Sequence, residues 1–200
     1  MKDNAREFII KSLRQALLTP GKVPSSPTNP IGSHFKLELN SDMVLNFVHK
    51  YMLCGGNLNY GTTNTEVADI INNWVHKNDI ATIECGTYEL LQYIQNLNLE
   101  SKQFATISGD ECRFGVLLCD TLVAWDGSIV ISSDCFEDKE KIIIPEYTVM
   151  VAFSSQVVPD LKTYLTRKSK DEDMPKQLQV IYPEDIDHSK VQMLLIEDQN

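Results

Sequence analysis

Most of the short motifs that mark common catalytic sites are missing from this sequence of 200 residues. It has no G-x-G-x-x-G fingerprint, no phosphate-binding P-loop and no Ser, His and Asp in the order of a hydrolase triad. No apolar run approaches the length of about 20 residues that a membrane-spanning helix needs. These absences argue against a nucleotide enzyme with a standard loop and against a membrane-embedded protein.

Metal-binding patterns are absent as well. The five cysteines form no C-x-x-C pair, and the four histidines are scattered without metal-ligand spacing. His188 beside Asp187 is the one candidate for a tuned imidazole. We therefore expect no metal, no iron–sulfur cluster and no other cofactor. An odd cysteine count and the lack of a signal peptide predict reduced thiols and a cytoplasmic location.

Basic residues are few, and the formal net charge is −10. This excess of acid argues against nucleic acid and against an anionic membrane as partners. The first 50 residues nevertheless carry +3, and the remainder carries −13. Attraction between the two parts is one interpretation, and a solvated imbalance without consequence is the other.

The N-terminal segment predicts an arm joined to a single α/β domain. Residues 1–18 form a helical pattern with an apolar stripe at Ile9, Leu13 and Leu17. Residues 19–36 contain four prolines and predict an extended linker, which leaves residues 37–200 as the domain. Because the arm cannot bury its stripe locally, we expect it to pack on the domain or on another subunit, which would make a homo-oligomer.

Short apolar runs alternate with helical patterns through the domain, which predicts right-handed βαβ units and a mainly parallel sheet. The predicted local features include a helix capped by Ser41, a capping box formed by Thr63 and Glu66, a helix over Gln156–Lys168 with Pro159 in its first turn, and a final strand at Val191–Ile196. The runs Thr121–Trp125 and Ser128–Ser132 are separated by Asp126-Gly127, which predicts a hairpin with a two-residue type I′ turn. Residues of both runs are apolar on both faces, as in strands covered on two sides. The expected architecture is an α/β three-layer domain with an antiparallel hairpin.

Ligands of parallel sheets bind beyond the carboxyl ends of the strands. Three predicted strand ends are small and polar, and two of them lead into helices whose first amides suit an anion. Ordinary helix capping explains the same residues. The candidate ligand-binding residues in these loops are Gly61, Thr62, Gly86, Thr87, Gly109 and Asp110.

The hairpin supplies the remaining candidates. Asp120, Asp126 and Asp110 could serve acid–base chemistry, or could simply form turns and caps. Trp125 could stack on a planar ligand, or pack at the end of a strand. Gly127 and Ser128 complete the candidate set, and catalytic residues are not assigned.

The central stretch resembles the lactate-utilization (LUD) family, whose pattern reads roughly G-[IV]-T-x-A-D-x-A-I-A-E-T-G-T before an apolar strand. Ile144–Tyr147 resembles the family's L-P-x-x-H segment, Arg6–Leu17 its opening helix, and Phe47–Gly56 its helix ending in two glycines. The residues that match the central pattern are Gly115, Val116, Asp120, Val123, Ala124, Gly127 and Ser128. The resemblance implies a fold like that of the NagB, RpiA and CoA-transferase group.

The chain departs from the family pattern at several positions. Trp125-Asp126 stands where Glu-Thr is usual, and Leu117 stands where Thr is expected. The late family motifs G-P-S-x-T-x-D-I-E and G-x-H-G-P have no clear counterpart.

Three functions follow as hypotheses. The resemblance implies a non-redox accessory component of lactate utilization, working with iron–sulfur subunits in the oxidation of L-lactate to pyruvate. Fold analogy suggests instead an acyl or CoA transferase, or an isomerase-like enzyme, that binds a small anion at the strand ends. A ligand-sensing or assembly module is the third.

Overall fold

The computed structural model describes residues 42–97, 99, 103–109, 112–170 and 174–198. The predicted arm and linker, and with them the predicted boundaries of the domain, lie outside the described residues. None of the described helices combines the length and apolarity needed to cross a bilayer.

Six parallel strands form the main sheet, in the spatial order β1-β10-β7-β4-β2-β3. The central strands are buried along nearly their whole length, as their continuous apolar sequences require. The strands are β1 (Leu58–Gly61), β2 (Thr82–Cys85), β3 (Gln103–Thr106), β4 (Phe114–Leu118), β7 (Tyr147–Phe153) and β10 (Val191–Ile196).

A second sheet of four strands carries the hairpin, in the order β8-β5-β6-β9. Strands β5 and β6 are antiparallel, as are β6 and β9, whereas β5 and β8 are parallel. The predicted antiparallel hairpin is therefore present, as part of a larger sheet. Its strands are β5 (Thr121–Val123), β6 (Ile129–Ser132), β8 (Val157–Val158) and β9 (Leu178–Ile181).

Helices and sheets alternate in layers. Helices α2 (Asn64–Lys77) and α3 (Tyr88–Asn96) cover one face of the parallel sheet with an apolar cluster. Helix α1 (Met43–Leu53) and the second sheet cover its other face. Helix α4 (Leu161–Lys168) packs on the outer side of the second sheet. The expected α/β architecture with a mainly parallel sheet is confirmed, and the hairpin strands are covered on both sides.

Two helix starts differ from expectation. Asp42, rather than Ser41, caps α1, with its carboxylate accepting from the amides of Val44 and Leu45 at 3.0 and 3.3 Å. Helix α4 does not start near Gln156 with Pro159 in its first turn, because Val157 and Val158 pair with β5 and form β8. The helix starts after Asp160, whose carboxylate accepts from the Thr163 amide at 2.7 Å.

The hairpin turn also differs from the predicted type I′ geometry. Its four residues run from Ala124 to Gly127, closed by bonds from the Gly127 amide to the Val123 carbonyl and from the Val123 amide to the Ser128 carbonyl, both 2.9 Å. Gly127 has a φ of +78°, but Asp126 does not share the positive φ that a type I′ turn requires. The Asp126 carboxylate instead accepts from the amide and hydroxyl of Ser128, at 2.9 and 2.7 Å.

Gly127 also lies directly against α1. A Cβ atom there would be 2.8 Å from the amide nitrogen of Tyr51 and 3.1 Å from the Cβ of Lys50. Backbone conformation and close packing therefore both require glycine at the point where the turn contacts the end of α1.

We predict that Gly127→Ala lowers the free energy of unfolding by about 1–3 kcal/mol, because alanine at this position must adopt a left-handed conformation against a fixed helix. Gly109→Ala is the matched control, since nothing lies within 4 Å of its Cβ position. Urea denaturation of both variants is the measurement. Equal stability of the two variants would contradict this account of the turn.

Candidate functional site

All six strands of the parallel sheet end at one edge, and the loops that follow them line it. Gly86 and Thr87 follow β2, Gly109 follows β3, and Asp120 lies two residues after β4. Strands β3, β2 and β4 are neighbours, so these four predicted residues belong to one region of the edge. Asp110 lies outside the described residues.

Two groups of predicted residues lie elsewhere. Gly61 ends β1 and Thr62 follows it, and this strand is three strands away from β4, or about 14 Å at the usual strand spacing. The hairpin turn begins four residues after Asp120, about 13 Å along β5, and packs on α1. Trp125 in that turn is 63% exposed, whereas Ser128 is fully buried.

The amides around Thr62 already have partners. The Thr62 amide and hydroxyl both donate to the Glu66 carboxylate, at 2.9 and 2.7 Å. Thr63 caps α2 by accepting from the Glu66 amide at 3.2 Å. Of the two hydrogen bonds in the predicted capping box, the one from the Glu66 amide to the Thr63 side chain is present. The Glu66 carboxylate accepts from Thr62 in place of the Thr63 amide.

The start of α3 holds a carboxylate that belongs to the chain itself. The Tyr88 amide donates to the Glu137 carboxylate, and Thr87 caps the helix by accepting from the Leu90 amide at 3.2 Å. The Gly86 carbonyl accepts from the Glu137 amide at 2.9 Å. A negative group therefore lies at a helix N-terminus, where the dipole favours it.

Asp120 is the centre of a compact charged cluster at this edge. Its Oδ1 lies 3.5 Å from Nζ of Lys168, which lies 3.7 Å from Oδ2 of Asp134. The side chains of Asp120 and Lys168 are only 14% and 19% exposed. The Oδ2 atom of Asp120 is buried and has no hydrogen-bond partner among the described residues. The cluster thus contains a buried carboxylate that faces the Tyr164 phenol.

Tyr164 adds a hydroxyl group to the cluster. It lies one helical turn before Lys168, and its buried hydroxyl faces the Asp120 carboxylate, although among the described residues it makes no hydrogen bond of standard geometry. Burial, reinforced by the charge of Asp120, raises the pKa of the Tyr164 phenol well above its ordinary value. The phenol therefore keeps its proton at neutral pH and can donate a hydrogen bond.

Two thiols lie close to the same carboxylates. Burial raises the pKa of Cys135 to about 11, with the charges of Asp120 and Asp134 adding to the effect. Burial likewise raises the pKa of Cys119 well above its ordinary value. Both groups are protonated thiols at neutral pH and are weak nucleophiles. Among the described residues no group of three His, Cys, Asp or Glu side chains is arranged to hold a metal ion.

Gln156 fixes the position of Asp120 relative to both sheets. Its side-chain amide donates to the Cys119 carbonyl at 2.7 Å and accepts from the Phe153 amide at 2.6 Å. The Gln156 carbonyl accepts from the Thr121 hydroxyl. The ends of β4 and β7 are therefore tied together where the chain leaves the parallel sheet.

Sequence reasoning identified Asp120 but missed the residues that act with it. Lys168, Tyr164 and Glu137 are distant along the chain and belong to no short motif. One available signal was the apolar Tyr164 four residues before Lys168, a spacing that places both on one helix face.

Comparison with known proteins gives one structural relative. No protein-family model matches the sequence, and no curated protein matches it. The chain is similar to the crystal structure of a DUF162 family protein from Deinococcus radiodurans, with a TM-score of 0.59 and 10% identity. The similarity covers 78% of this chain and 96% of the other. At this identity the similarity shows a shared fold.

We predict that Lys168→Met lowers the free energy of unfolding by about 1–3 kcal/mol, because it leaves the partly buried Asp120 carboxylate without its cation. Lys170→Met, two residues further on and exposed, is the control. Adding Asp120→Asn to Lys168→Met should recover part of the loss, because the unpaired charge is removed. The prediction fails if urea denaturation shows equal effects of the two lysine substitutions.

Proposed function

We propose that this protein is a LUD-type domain that acts as the cluster-free partner of iron–sulfur subunits in the oxidation of L-lactate to pyruvate. The observation that carries the proposal is the fold shared with the DUF162 family protein, since DUF162 is the LUD family. The family-like run from Gly115 supports it, because this run forms β4 and continues to Asp120 at the carboxyl edge.

The cluster around Asp120 complements a small 2-hydroxy acid. In this proposal Lys168 pairs with the substrate carboxylate, and the Asp120 carboxylate, which faces the Tyr164 phenol, accepts a hydrogen bond from the substrate hydroxyl. The Tyr164 hydroxyl is a further donor. Gly86, Thr87 and Gly109 form the neighbouring loops of the same edge.

Electrons leave the substrate through the partner subunits in this proposal. Oxidation of lactate to pyruvate releases two electrons and two protons, and the partner clusters accept the electrons one at a time. This chain then contributes ligand binding and assembly in the cytoplasm rather than electron transfer.

Growth on L-lactate tests the proposed function. A strain that lacks this chain should grow poorly on L-lactate, and the wild-type gene should restore growth. Asp120→Asn should restore it poorly at equal protein abundance, because Asn cannot replace the carboxylate that binds the hydroxyl. Asp187→Asn is the control, since within the described part of the chain that carboxylate accepts from Ser189, two residues later, and lies outside the Asp120 cluster.

Purification of a tagged chain tests the partnership separately. The tagged wild-type protein should retain iron-containing subunits from anaerobic cell extracts. Normal lactate growth without the chain, or a purified chain with no iron-containing partner, would contradict the accessory role.

The buried carboxylate also favours an enzyme of the acyl or CoA-transferase class as a second function. Asp120 could attack a thioester carbonyl to form a mixed anhydride, and the CoA thiolate would leave. The CoA thiolate would then attack the Asp120 carbonyl of this anhydride, forming an Asp120 thioester and releasing the first acid. The carboxylate of the hydroxy acid would attack that thioester to form a second anhydride and free the thiolate. The thiolate would attack the hydroxy-acid carbonyl, giving the new thioester and restoring the Asp120 carboxylate. The reaction needs no partner subunit.

An assay of the purified chain alone separates the two functions. It is incubated with acetyl-CoA and L-lactate, and lactoyl-CoA and acetate are measured by mass spectrometry. Turnover that is lost in Asp120→Asn would support the transferase, whereas the accessory role predicts no turnover by the isolated chain.

A further inference from the structure

A polar cleft of about 220 Å³ opens at the amino edge of the parallel sheet, opposite the Asp120 cluster. Its walls come from the second half of α2, from the start of β10 and from residues in and just before β1. Of the described residues that line it, Lys77 alone carries a formal charge. The polar side chains that line the cleft are Asn57, Asn59, Asn73, Trp74, Lys77 and Gln192.

Gln192 is fixed in one orientation in this wall. It is 3% exposed, and its Nε2 atom donates to the carbonyls of Asn57 and Met193 at 3.1 and 2.9 Å. Both donors of the side-chain amide are thereby used. With both donors engaged, the Oε1 atom is the group of this side chain that is left to accept from a ligand.

Trp74 brings an unsatisfied donor to the same wall. The side chain is 5% exposed, and its indole N–H has no acceptor among the described residues. The Lys77 ammonium lies 5.4 Å from the ring centroid and holds the ring from the solvent side by a cation–π interaction. Buried polar groups in folded proteins nearly always have partners, so a buried donor without an acceptor in this wall indicates a missing ligand.

The chemistry of the lining selects the class of that ligand. Each asparagine amide offers both donors and an acceptor, which is the combination that hydroxyl groups match. The described residues of the lining include no carboxylate that could pair with a cationic ligand, and their one cation, Lys77, is already engaged with the Trp74 ring. The volume is below the range of about 300–1,000 Å³ typical of sites for drug-sized molecules.

We propose that this cleft binds a small, neutral, polyhydroxylated compound of the size of a monosaccharide. The side chain of Gln192 accepts from one ligand hydroxyl, and the asparagine amides exchange hydrogen bonds with others. The Trp74 indole donates to a ligand oxygen after a small adjustment of the wall. The site is separate from the Asp120 cluster and does not depend on the function proposed for that cluster.

Titration of the full-length chain with D-glucose, D-ribose and myo-inositol tests the proposal. The protein has two tryptophans, so its ¹⁵N spectrum contains two indole N–H signals, which a Trp125→Phe variant assigns. At least one of the three compounds should shift the Trp74 signal at millimolar concentration. The signal of the exposed Trp125 in the hairpin turn should stay in place, as should both signals on addition of L-lactate.

Substitutions then locate the site. Asn73→Ala, on the exposed surface of α2, should weaken binding by about 3–10-fold through the loss of one or two hydrogen bonds. Asn96→Ala on α3 is the matched control, because it is also an exposed helical asparagine but lies outside the cleft. A Trp74 signal unmoved by all three compounds overturns the proposal. Equal affinity of the two asparagine variants, or a Trp74 shift with lactate alone, also overturns it.

Discussion

The bonds made by Gln156 determine how the two sheets of this protein meet. The chain leaves the parallel sheet twice to build the second sheet, once after β4 and once after β7. One side-chain amide spans both exits, bonding the Cys119 carbonyl and the Phe153 amide. Because Asp120 follows Cys119 directly, the same bonds place its carboxylate beside α4. A buried charge can be kept there only with its cation, and Lys168 at the end of α4 supplies it.

Burial raises the pKa values of the thiol and phenol groups in this region. The described thiols apart from Cys54 are buried, and burial raises the pKa values of Cys85 and Cys112 to about 12. The Tyr164 phenol is shifted in the same direction. At neutral pH these groups are neutral hydrogen-bond donors, while the aspartates provide the acceptors. The edge is therefore suited to binding and proton transfer more than to thiol chemistry.

Much of the fold could be predicted because it depends on local pattern. The strand Val191–Ile196 was expected with its observed bounds, since a continuous apolar run between polar segments has one simple interpretation. Strand β8 could not be predicted, because Val157 and Val158 have no periodicity and pair with β5 only through the tertiary fold. The prediction of a type I′ turn was wrong for a similar reason. Asp126-Gly127 indicates that the chain turns, but the contact of the turn with α1 determines which type of turn forms.

The candidate site was predictable only in part. Asp120 follows from the rule that ligands bind at strand carboxyl ends, and from the resemblance to the LUD pattern. The cation and the phenol that face it come from α4, more than 40 residues later, and nothing local connects them to β4. The carboxyl end of a strand can be predicted from one segment of the sequence. A charge pair between two layers can be predicted only when the packing of two separate segments is known.

The carboxylate of Glu137 at the start of α3 has a consequence for competition between anions. Being tethered, it faces the Tyr88 amide at an effective concentration on the order of millimolar, whatever the solution contains. A free anion can take its place only by exceeding that local concentration or by making contacts that Glu137 lacks. Inorganic anions of modest affinity are therefore excluded from this helix end. A ligand that makes a second contact can still displace Glu137, and it is thereby selected over simple anions.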